Sequence, residues 1–194
     1  MVAIGFVTKL GKELLNNYRF AEVFIDSTFK TNSSKIELFT ILVSVFGVGF
    51  PLACIFMGTS HDDTRRQEVV TNFLQAVKNH CSNLTPLFFF SDKDRGQLNA
   101  IRAVFNIVPS LCYWHMKNAV KKKIIRLRQR NECKVSEDEE KSLMKLITSH
   151  YNLHPSVSRT MTSEQIKSRA VSEINSFCSS ARIAPLHDYM LKKW

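Results

Sequence analysis

Cysteines are few and scattered: five, at positions 54, 81, 112, 133 and 178, with no C-x-x-C among them. An odd set of this kind argues against a disulfide framework and for a reducing compartment, cytosol or nucleus. Long apolar runs are lacking as well. No stretch reaches the roughly 18 apolar residues of a membrane-spanning helix, and no signal-peptide pattern follows Met1. There is no internal repeat and no low-complexity segment, so nothing points to a repeat array or a biased linker. Acids are in the minority, 17 against 27 Lys and Arg, for a net charge of +10. The shortage is local. Residues 1–116 carry 11 basic and 9 acidic side chains and 131–194 carry 9 and 8, but 117–130, "KNAVKKKIIRLRQR", carries 7 and none. A stripe without acids attracts a phosphate backbone or an anionic membrane surface, unless it is only the solvated face of a helix.

The rest is ordinary for a globular domain: 194 residues, 44% of them hydrophobic, are enough for one sizeable core. "TKLGKELLNNYRF" reads as a short amphipathic helix leading into a first strand, "EVFIDSTF" (22–29). A polar turn cluster, "KTNSSK" (30–35), separates it from "IELFTILVSVF" (36–46), apolar enough for a central strand covered on both faces. "GVG" turns the chain and "FPLACIFMG" (50–58) returns it, which makes a three-stranded antiparallel meander. In the next segment Val69, Val70, Phe73, Leu74 and Val77 share one helical face. "PLFFFSD" is a fourth strand and "DRGQLNAIRAVF" a second helix. "PSLCYW" is a brief fifth strand, and the basic segment continues as a helix. A crossover helix of this kind makes strand four parallel to strand one. After Arg130 the strand signals stop. "SEDEEKSLMKLITSHY" opens with Ser136 and Glu139 as a capping box, and Thr162 or Ser163 starts another helix. The expected division is therefore 1–130, an α/β core, and 131–194, a helical insertion.

Two acids interrupt this pattern where chemistry is possible. Asp26 sits in "FIDSTF", where it could pair with a lysine or bond within a strand-end turn. Asp94, before the second helix, fits an N-cap; Asp92 belongs to the strand end, so a cap explains one acid and not both. Both Asp26 and Asp92 fall towards the C-terminal ends of parallel strands, the usual place for sites in such sheets. Carboxylates brought together repel, and a divalent cation relieves that repulsion. Cys112 and His115, in "CYWH", have metal-like spacing, but a structural zinc needs two more ligands, and only His150 and His154 offer them. The alternative for Cys112 is a small core residue.

The order "FIDSTFKTN", "FPLACIFM" and "FFFSDKDRGQLNAIRAVFNIVPSLCYWHMKNAV" is similar to the transposase domain of Mutator-like elements, over roughly residues 20–125. The resemblance implies an α/β, RNase H-like fold: a mixed five-stranded sheet of order 3-2-1-4-5 flanked by helices, with an α-helical insertion at the C-terminal end. It implies Asp26 and Asp92 as catalytic acids holding two Mg²⁺ or Mn²⁺ ions, and Cys112 and His115 as residues that position DNA. Lys117, Lys121, Lys122, Lys123, Arg126, Arg128 and Arg130 would then contact the DNA backbone. The expected partner is double-stranded DNA, element ends and target, in a homo-oligomeric complex, with no membrane association and a nuclear location. The family's third acid, a Glu in a Thr-Thr-Asn-x-x-Glu context after the insertion, has no counterpart; Glu164 and Glu173 lie inside the helical region. The expectation is a fragment or truncated copy ending short of that Glu and weak or inactive alone. A domesticated, non-catalytic DNA-binding regulator is the alternative.

Overall fold

The computed structural model describes residues 2–28, 33–34, 36–58, 62–132, 134–152, 161–180 and 183–193. Packing divides the chain into two compact units between Cys112 and Tyr113. The first holds β1 (Ala3–Val7), α1 (Lys9–Asn17), β2 (Glu22–Thr28), β3 (Ile36–Val45), β4 (Val48–Gly58), α2 (Asp63–His80), β5 (Phe88–Ser91), α3 (Arg95–Phe105) and β6 (Ser110–Leu111).

Its six strands form one mixed sheet in the order β1-β4-β3-β2-β5-β6. The strands β2, β3 and β4 pair antiparallel, as a meander should, while β5 runs parallel to β2 and β6 parallel to β5. An α/β fold with helices flanking a mixed sheet is therefore present, with six strands where five were expected. The additional strand is β1, which pairs antiparallel with β4 at the sheet's edge. Four of its five residues are exposed, and Gly5 interrupts the run, so it carries little of the alternation that marks a half-buried strand.

Alternation along the strands sends one set of side chains into the core. Val23 and Ile25 of β2, Phe39, Ile41 and Val43 of β3, and Ile55 and Met57 of β4 pack with Val70, Phe73, Leu74 and Val77 of α2. Burying each such side chain contributes about 1.5–3 kcal/mol. The opposite set on β3, Leu38, Thr40 and Leu42, is only half-buried. Near-continuous apolar sequence thus did not mean equal cover on both faces. A bulge at Leu52 opposite Ile41 and Leu42 lets two successive residues, Leu52 and Ala53, turn inward. Pro51 sits beside this irregularity, where a missing ladder donor costs least. At Gly11 a Cβ would lie 2.8 Å from the Leu52 Cα, so only glycine allows α1 to approach β4 this closely. The β3–β4 hairpin turns on Phe46 and Gly47, both at positive φ (50° and 79°), the twist that suits a two-residue hairpin.

The second unit holds α4 (Tyr113–Gln129), α5 (Glu137–Asn152), α6 (Ser163–Ser180) and α7 (Ala184–Lys193). Val120, Ile124 and Leu127, spaced along one face of α4, share a core with Leu143, Ile147, Ile183 and Leu186. The change of sequence pattern at Arg130 and the division between packed units at Cys112–Tyr113 fall at opposite ends of α4. The capping box of α5 forms in full: the Ser136 N–H donates to Glu139 at 2.7 Å, and the Glu139 N–H to the Ser136 hydroxyl at 3.2 Å. At α6 the cap is Thr162, whose hydroxyl accepts from the Gln165 N–H at 3.2 Å. Among the described residues no helix is long and apolar enough to cross a membrane. Much of the expected turn at 30–35, together with Cys133 and His154, lies outside the described residues.

Candidate active site

The strands β2 and β5 set the geometry. Their parallel register pairs Glu22 with Phe88, Val23 with Phe89 and Phe24 with Phe90. The Phe24 and Phe90 rings stack, with centroids 4.9 Å apart and planes 16° from parallel. Two residues further along each chain come Asp26 and Asp92. Strand alternation puts Asp26 on the face of Phe24 and leaves it exposed. Asp92 is half-buried, one residue past the last of β5. Both acids thus lie two residues beyond the same Phe24–Phe90 pair of adjacent parallel strands.

Local turns orient each carboxylate. Asp26 Oδ1 accepts its neighbour's amide, the Ser27 N–H, at 2.9 Å. Asp92 Oδ1 accepts the Asp94 N–H at 2.8 Å, a turn that bends the chain from β5 into α3. Asp94 is the N-cap of α3, its Oδ1 accepting the Gln97 N–H at 2.9 Å. The two acids of "SDKD" thus divide as expected: one caps the helix, and the other is left at the strand end.

Sequence reasoning missed the layer beneath this turn. Asp94 Oδ2 accepts from Arg66 Nη1, and Arg66 also reaches Glu37 through two bonds, Nη2 to Oε1 at 2.6 Å and Nε to Oε2 at 3.2 Å. The Arg66 side chain is 11% exposed and that of Glu37 2%. Burial works against the guanidinium's charge, but bonds to Glu37 and Asp94 outweigh it and hold the pKa above the usual arginine range. The available signal was Glu37 itself, an acid at a core-facing position of an apolar strand. Ser91, fully buried, donates its hydroxyl to Gln97 Oε1 at 2.8 Å and ties the strand end to the first turn of α3.

The backbone N–H of Cys112 donates to the Ser91 carbonyl at 2.7 Å, which fixes it beside the end of β5; its thiol is free and half-buried. His115 belongs to the other packed unit, in the first turn of α4, with its ring edge-on to Trp114 at 4.9 Å. Of the four residues of the zinc alternative, His154 lies outside the described residues, and His150 Nε2 lies 3.0 Å from Glu173. Of the seven basic residues between Lys117 and Arg130, Arg128 is committed internally. It donates to the Val135 carbonyl at 2.8 Å and the Ser136 carbonyl at 3.1 Å, and pairs with Glu140 at 2.8 Å. Lys117 lies 5.0 Å from the Tyr113 ring and Lys123 5.7 Å from that of Tyr189. Lys121, Lys122, Arg126 and Arg130 are exposed.

The mixed sheet carries Asp26 near the C-terminal end of β2 and Asp92 just past that of the adjacent parallel strand β5, and sequence comparison assigns the family. The model of the MULE transposase domain matches residues 22–119, and the chain belongs to that family. The matched span runs from β2 into α4 and includes Asp26, Asp92, Cys112 and His115. A search of curated proteins finds no match.

Proposed function

We propose that this chain is the core of a MULE-type DDE transposase of RNase H-like fold, acting in metal-dependent DNA cleavage and strand transfer. The observation that carries the reading is that Asp26 and Asp92 each lie two residues beyond the Phe24–Phe90 pair of the adjacent parallel strands β2 and β5. The strand order β4-β3-β2-β5-β6 supports the fold assignment, with β1 added outside it. Two carboxylates are hard oxygen donors that suit Mg²⁺ or Mn²⁺, ions that keep several waters and need few protein ligands. Bound there, such ions would polarise a phosphodiester and lower the pKa of an attacking water. Backbone N–H groups aim one oxygen of each carboxylate, that of Ser27 for Asp26 and that of Asp94 for Asp92. Water oxygen attacks phosphorus and the bond to the 3′ oxygen breaks; the released 3′-hydroxyl then attacks a target phosphorus, and the target strand's own 3′ oxygen leaves with the proton.

In this reading residues 131–194 are the insertion. Cys112 and His115 position DNA. Lys121, Lys122, Arg126 and Arg130 contact phosphates with little base specificity, supported by Lys117 and Lys123; Arg128 serves α5 instead. The partner is double-stranded DNA in a homo-oligomeric complex within the nucleus. The test is Mn²⁺ binding followed by electron paramagnetic resonance, alongside nicking of supercoiled plasmid. Binding that is lost in Asp92→Asn supports the proposal, and nicking that persists in that variant sinks it. A second reading, a domesticated DNA-binding regulator, draws on the exposed basic side chains concentrated between 117 and 130, which DNA binding without cleavage would use. It is favoured if DNA binding survives the double change Asp26→Asn, Asp92→Asn and no cleavage is seen in either form.

A further inference from the structure

We propose that Arg66 is a positioning residue for Asp92, acting through Asp94; the inference rests on the reading of Asp92 as a metal-holding carboxylate. The connection is continuous. Glu37 lies on β3, 2% exposed, and grips the Arg66 guanidinium through both carboxylate oxygens at 2.6 and 3.2 Å. The guanidinium also lies 5.1 Å over the Phe39 ring of the same strand. From that fixed point Arg66 bonds Asp94 Oδ2, and the backbone N–H of Asp94 in turn holds Asp92 Oδ1 at 2.8 Å. The sheet's core thus reaches the Asp92 carboxylate through three residues.

A plain structural account does not cover this arrangement. Capping α3 uses only Asp94 Oδ1, towards the Gln97 N–H. Asp94 Oδ2 and Glu37 play no part in the cap. A buried ionic triad gains little net stability over apolar side chains of the same volume, because desolvation offsets the attraction. What it does supply is a fixed geometry, and a carboxylate that shares a metal must be held to within about 0.5 Å. The turn between β5 and α3 is a short loop, and the Arg66 bond ties its last residue to the sheet.

The test measures two things on the full chain: Mn²⁺ affinity by electron paramagnetic resonance, and hydrogen exchange at the Asp94 amide. Two variants break the connection by different routes. The double change Glu37→Met, Arg66→Met replaces the buried pair with apolar bulk and keeps the fold. The change Asp94→Asn keeps a good N-cap and removes the charge that Arg66 engages. Both are expected to weaken Mn²⁺ binding at least tenfold and speed exchange at the Asp94 amide by a similar factor, while exchange in β3 and α2 stays unchanged. Faster exchange with unchanged Mn²⁺ affinity overturns the inference, since Arg66 would then merely brace the helix cap. Unchanged affinity and exchange in both variants, with Asp92→Asn still abolishing binding, overturns it too and leaves the functional reading standing. Wild-type protein that binds no Mn²⁺, or binds it equally after Asp92→Asn, overturns both.

Discussion

Charge is used differently in the two packed units. In the sheet unit the acids and the arginine that matter most are under cover, with Glu37, Arg66 and Asp94 at 2%, 11% and 25% exposure. In the helical unit the buried layer of Val120, Ile124, Leu127 and Leu143 is apolar, and ion pairs such as Arg169–Glu173 and Lys141–Asp138 lie towards the surface. Exposed pairs contribute little and adjust freely, whereas a buried charge is intolerant of losing its partner. The sheet unit therefore uses charge to fix position. The helical unit folds on apolar contact and leaves much of its charge in solvent, available to an anionic partner.

The largest expected effect breaks the first half of this comparison. Arg66→Met alone strands Glu37 and should cost about 3–5 kcal/mol in chemical denaturation; a loss under about 1 kcal/mol would mean the triad is not truly buried. In the helical unit the equivalent injury is apolar: Ile124→Ala, at a fully buried position, should cost about 2–5 kcal/mol. Ser136→Ala removes the cap of α5 and should cost about 1 kcal/mol by the same measurement.

Acid should act on the helical unit through Glu139 and Glu173. The Ser136 backbone N–H, then its hydroxyl, holds the Glu139 carboxyl below the usual range, and Glu173 is lowered chiefly by its bond from Arg169, with His150 adding a smaller pull. A lowered folded pKa stabilises above the unfolded value, about 4.3, and that contribution is lost as pH falls through the folded value. Helix content followed by circular dichroism should fall across that window, and the double change Glu139→Gln, Glu173→Gln should flatten the dependence. The smallest effect on stability belongs to Lys121→Ala with Lys122→Ala, within about 0.5 kcal/mol. The same double variant should weaken DNA binding and reduce its logarithmic salt dependence by about 2. An unchanged salt slope would remove these lysines from the interface.

Much of this was legible from local pattern. The buried face of α2, the Asp94 cap and the Ser136–Glu139 box each depend on residues within a few turns of one another, so spacing alone revealed them. Strand β1 escaped because an edge strand with most of its residues exposed and a glycine at its centre has no apolar stripe to show. Arg128 looked like one more cation of a basic stripe. Its inward role depends on Val135, Ser136 and Glu140, which return to it only after α5 folds back along α4.

The amino-acid sequence by itself determined most of the elements, the caps, the concentration of positive charge in one segment and the presence of an acid near the end of each of two strands. Those features follow from backbone propensity and from side chains acting on neighbours close in the chain. Only the tertiary structure decided that Asp26 and Asp92 each lie two residues beyond the same β2–β5 pair, and that Glu37 and Arg66 stand beneath the turn that carries Asp92. Strand register and buried ion pairing join residues far apart in the chain. Their energies depend on which groups leave water together, and no local pattern encodes that.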